Sequence, residues 1–73
     1  MRSHMTAMTR HVLELLDKGA TILHNTTLNK VLLVQGMRVR RIDGRTFHAL
    51  ERRGRLLLQS TLDELQEFTG VPF

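Results

Sequence analysis

Two glycines, Gly19 and Gly54, each close a segment whose apolar residues recur at helical spacing. The chain between them is cut into short β-branched and leucine-rich runs. Glycine just past a periodic apolar stretch is a common helix stop. Runs of four or five apolar residues suit strands better than helices. This punctuation predicts a small domain mixing helices with a modest sheet.

At 73 residues the chain has room for one domain. The opening Met1-Arg2-Ser3-His4-Met5 reads as a cloning remnant ahead of a natural start at Met5, leaving residues 6–73 as the domain. A core of this size is only marginally stable alone. With no cysteine, disulfides, thiolate zinc sites and a cysteine nucleophile are excluded. No apolar run approaches the ~20 residues of a membrane span, and no stretch reads as a signal peptide. The expected location is the cytoplasm.

The first predicted helix covers about Thr6 to Lys18, with Met8, Val12, Leu15 and Leu16 on one face and Thr6 or Thr9 as N-cap. Thr21 to His24 and Val31 to Gln35 read as a hairpin around the turn-rich segment 25–30. Met37 to Arg40 alternates with period two, which predicts Met37 and Val39 facing inward and Arg38 and Arg40 outward. A second helix starts at Asp43, with Ile42 and Phe47 placed to form a hydrophobic staple, and ends near Arg53. Leu56-Leu57-Leu58 suggests a strand buried on both faces. Ser60 and Thr61 fit a capping pattern for a last, acidic helix with Leu62, Leu65 and Phe68 as its stripe. The order helix, β-hairpin, helix, strand, C-terminal helix gives a small α+β domain.

Charge is the strongest functional signal. Seven of the eleven Lys and Arg residues fall between Arg38 and Arg55, and all seven are arginine. With Asp43 and Glu51 counted, that window carries +5, while the rest of the chain sums to −1. Arginine's planar fork suits phosphate and carboxylate. The expected ligand is duplex DNA, gripped by Arg38, Arg40, Arg41, Arg52 and Arg53, with Arg45, Thr46 and His48 near base edges. Three phenylalanines and no Trp or Tyr offer little for stacking unpaired bases.

The stretch Arg41-Ile42-Asp43-Gly44-Arg45-Thr46-Phe47-His48-Ala49-Leu50-Glu51-Arg52-Arg53-Gly54-Arg55-Leu56 resembles the last helix of small winged-helix proteins. With Leu16-Asp17-Lys18-Gly19, it gives the chain a resemblance to the YjhX family of small bacterial proteins, regarded as toxins, over about Val12 to Leu57. The aromatic and cysteine residues of that family's hairpin are absent here, and the acidic tail departs from it. The resemblance implies a fold, that of a small α+β winged-helix-like domain of bacterial or phage type, and not a toxin activity.

Other readings of the basic window are a solvated face, or a phage-type regulator docking on an acidic surface of the transcription machinery such as RNA polymerase. The acidic tail and basic patch can also join neighbouring copies in a homodimer. Enzyme chemistry is not expected. His11, His24 and His48 lie far apart, Ser60 lacks a nucleophile setting, and no nucleotide-binding loop or metal-ligand spacing occurs, so neither cofactor nor metal is expected.

Overall fold

A computed structural model describes residues 5–71. Helix α1 (Ala7–Asp17) is followed by strands β1 (Thr21–Asn25), β2 (Lys30–Gln35) and β3 (Arg38–Ile42). Helix α2 (Gly44–Arg52) then leads to strands β4 (Leu56–Leu62) and β5 (Leu65–Gly70). The five strands form one antiparallel sheet in the order β3-β2-β1-β5-β4. Both helices lie on one face of it.

This architecture is α+β, but it is not a winged helix. The segment expected to be a C-terminal acidic helix is instead the second half of the β4–β5 hairpin. Leu62 and Leu65 face each other across a two-residue connection, Asp63-Glu64, in which Asp63 takes φ +53°. The same spacing that mimics a helical stripe therefore marks the two ends of a tight turn. The reason lies in β1. Without β5 beside it, one side of β1 would carry unpaired N–H and C=O groups next to the core, which is costly. Strand β5 completes that ladder from Thr21–Thr69 to Asn25–Leu65. Leu57 and Leu58, each 48% exposed, lie on an edge strand rather than in a doubly buried one.

The helices form where local chemistry favours them. Thr6 caps α1, its hydroxyl accepting from the Thr9 N–H at 3.1 Å. Gly19, at φ +99°, ends the helix in a conformation that costs glycine little. The buried face of α1 is Thr9, Val12, Leu13 and Leu16. It is rotated from the predicted one, since Leu13 is inside and Met8 is 42% exposed. Asp43 caps α2, and Ile42 and Phe47 are both buried, as the staple pattern requires.

Pairing register sets which strand residues face the helices. Ile22, Leu33, Val31, Ile42 and Phe68 join Val12, Leu13, Leu16 and Leu50 in a single core. His24 also lies on this side, half-buried, with its ring 4.6 Å from that of Phe47 and its Nδ1 3.3 Å from Gln66 Oε1 on β5. Phe47 in turn packs edge-on to Phe68 at 5.5 Å. His24 is thus part of the joint between sheet and α2.

Among the described residues, nothing forms a covering layer on the opposite face of the sheet. Its middle row, read across the strands, is Arg41, Leu32, Leu23, Glu67 and Ser60. The row towards the Gly36 turn is Val39, Val34, Thr21, Thr69 and Leu57. Residues 1–4 of the expected cloning remnant and the last two residues of the chain, 72–73, lie outside the described residues. Met5, by contrast, packs against the core.

Candidate nucleic-acid interface

Strand β3 and helix α2 carry the arginines, and their geometry separates the arginines into groups. On β3, Arg38 pairs with Gln35 and Arg40 with Leu33, the latter buried beneath the helices. Strand alternation therefore puts Arg38 and Arg40 on the helix-bearing side, and Val39 and Arg41 on the open side. This reverses the sequence expectation. Val39 is 59% exposed and Met37 fully so. Because β3 is an edge strand, α1 and α2 leave its helical side solvated. Arginine there needs no burial, and a valine turned outward meets no second layer.

Arg38 and Arg40 meet α1 across a small hollow of about 130 Å³ shared with His11, Leu15, Leu33 and Gln35. Arg40 Nη1 stands 3.4 Å from His11 Nε2. His11 on α1 is a neighbour that no sequence spacing could have revealed, since it is 29 residues away. On the other flank of β3, Arg41 and Lys30 line an open cleft of about 420 Å³ with Asn29, Asp43 and Gly44.

Helix α2 presents Arg45, His48 and Arg52 to solvent, spaced three and four residues apart along one stripe. Arg52 Nε donates to the His48 carbonyl at 3.4 Å, which lays its side chain back along the helix. His48 Nδ1 is 3.5 Å from Glu51 Oε1, an ion pair whenever the imidazole is protonated. Thr46, expected near a base edge, is buried, and its backbone N–H donates to Asp43 Oδ1 at 2.7 Å. It serves the helix cap and cannot touch a ligand. Arg53 belongs to the C-terminal end of α2, about 12 Å along the axis from Arg45.

Hydrogen bonds from the Thr46 side chain and backbone hold the Asp43 carboxyl below its ordinary value, and the nearby Arg45 charge adds to the effect. Among the described residues, Arg38, Arg40, Arg41, Arg45 and Arg52 form no salt bridge with a carboxylate. Phe47 and Phe68 are both buried, so neither offers a ring to an incoming base.

The structure thus joins Arg38 and Arg40 to His11, and Arg45 to His48 and Arg52. It sends Arg41 to the far side of the sheet and sets Arg53 apart. Sequence reasoning also missed the open apolar sheet face. Its signal was present in Ile22-Leu23 and Val31-Leu32-Leu33-Val34, where consecutive apolar residues must place some on each face of a strand. No helix of the described residues is long and apolar enough to cross a membrane. Comparisons with known protein families, curated proteins and solved structures find no match.

Proposed function

We propose that the protein binds duplex DNA as a small regulator, through the outer stripe of α2 and the helix-bearing side of β3. In this reading Arg38, Arg40 and Arg52 hold phosphates, while Arg45 and His48, near the start of α2, reach towards base edges. The observation that carries it is that Arg38, Arg40, Arg45 and Arg52 are exposed and, among the described residues, form no salt bridge with a carboxylate. A guanidinium whose charge no carboxylate neutralises is available for phosphate, and each contact releases counterions from the duplex. The buried phenylalanines favour a duplex over a single strand, since backbone contacts need no stacking platform. The reading requires no catalytic group, cofactor or metal.

Fluorescence anisotropy with a short labelled duplex tests it. The three phosphate contacts give a slope of about −2.7 in log affinity against log salt. Binding should be strong near 50 mM salt and much weaker near 200 mM. No binding at the lower salt would end this reading. A single stoichiometric acidic protein recovered on the immobilised domain after nuclease treatment would then favour docking on a protein surface.

A further inference from the structure

We propose that the open face of the sheet is a homodimer interface, in which a second copy packs sheet against sheet about a two-fold axis parallel to the strands. The face is apolar at Leu23 and Leu32 in its middle and from there towards the β1–β2 turn. Leu23, Leu32, Leu28 and Leu65 line a hollow of about 270 Å³ together with Asn25 and Lys30. Leu28 is 61% exposed and Leu65 40% exposed. Apolar surface of this extent on a sheet face normally meets a second layer.

The charges on this face select the occupant and its orientation. Across the middle row the order is Arg41, Leu32, Leu23, Glu67: a cation, two leucines, an anion. That row is self-complementary. A two-fold axis parallel to the strands, running between β2 and β1, sets Arg41 opposite Glu67 of the second copy and Leu32 opposite its Leu23. The symmetry makes each of these contacts twice. Moving the axis over β1 would set Leu32 against Glu67 instead. An axis across the strands would set Arg41 against its own copy, placing like charges together. Only the first arrangement buries leucine on leucine and pairs opposite charges, with the sheets about 10 Å apart as in aligned sandwiches.

The available groups fit this use. Arg41 has no salt bridge among the described residues. Glu67 accepts from the Ser60 hydroxyl at 3.2 Å, which orients its carboxylate and leaves its charge uncompensated. The overlap of four strands covers roughly 20 Å by 17 Å, small for a dimer interface, so association belongs in the range of tens to hundreds of micromolar. The inference is independent of DNA binding, which uses the other side of the sheet.

Sedimentation equilibrium of the full chain over that range reads the result directly. The mass should rise from 8.4 kDa to twice that value. Arg41→Glu alone and Glu67→Arg alone should each weaken association by about tenfold or more. An equimolar mixture of the two variants should recover it, because in the heterodimer both cross-pairs are of opposite sign. Both positions are at the surface of formed strands, and unchanged far-ultraviolet dichroism verifies the fold. Leu23→Asp provides a second probe and should give a monomer at all concentrations. A monomeric wild-type protein, or a dimer indifferent to both charge reversals and their mixture, overturns the proposal. The latter outcome would place the contact elsewhere, the leucine-bearing edge β4 being the next surface to probe.

Discussion

Gly70 on β5 lies against Leu16 on α1 so closely that a Cβ added to it would stand 3.0 Å from the Leu16 Cβ. The next nearest atoms are the Leu16 backbone carbon and oxygen, both at 3.6 Å. None of these can rotate away, because they are fixed to the helix. Gly70→Ala should therefore destabilise the domain by about 1–3 kcal/mol, the usual cost of overpacking. The gain from a stiffer unfolded chain, about 0.4–1 kcal/mol, is too small to offset it. Urea denaturation checks the sign. A stabilised variant would mean that α1 slides on the sheet at little cost.

Ile22 and Leu50 are both fully buried and lie in different layers of the same core. Ile22→Val should cost about 0.5–1.5 kcal/mol and leave a folded protein. Leu50→Ala should cost about 2–5 kcal/mol, comparable to the whole stability of a domain this small. Thermal melts followed by circular dichroism distinguish them, with a cooperative transition for the first and none for the second.

The Asp43 cap makes part of the stability pH-dependent. Its carboxyl is held below its ordinary value by Thr46, so its charged form is favoured in the folded state. That contribution is complete above the unfolded value of 3.8 and disappears as pH falls through the lower folded value. Asp43→Ala should lower the urea midpoint at neutral pH, with the difference from wild type narrowing below about pH 4. Asp43→Asn, which also caps well, should fall between the two at neutral pH. A gap that does not change with pH would assign the effect to cap shape alone.

The arginines should separate by side of the sheet. Alanine at Arg45 and Arg52 should weaken duplex binding while changing stability by no more than about 0.5 kcal/mol, since both are exposed on a formed helix. Arg41→Ala should affect duplex binding much less, because Arg41 projects from the opposite face. Equal losses from all three in an anisotropy titration would show that net charge, not placement, governs binding.

Much of the local structure was legible from residues alone. Thr6 and Gly19 bound α1, Asp43 and Gly54 bound α2, and the first hairpin falls where its turn residues indicate. These features depend on neighbours within a few residues, as caps and turns do. The tail was not legible, because Leu62, Leu65 and Phe68 satisfy a helical stripe and a hairpin equally well. The site was legible in residue type only. Arg38, Val39 and Arg40 alternate as read, but which side faces the helices could not be deduced from alternation. Thr46, expected at a ligand, belongs to the helix cap.

The sequence by itself determined the helix ends, the period of each strand and the concentration of arginine in one window. Only the tertiary structure decided that the last segment is a strand, that Arg40 meets His11, and that one sheet face lies open with Arg41 and Glu67 at its two sides. The physical reason is range. Capping and turn geometry are settled by atoms close along the chain. The conformation of the tail is settled by the unpaired backbone of β1, about forty residues earlier. Likewise, the phase of β3 follows from its place at the edge of a sheet covered on one side only.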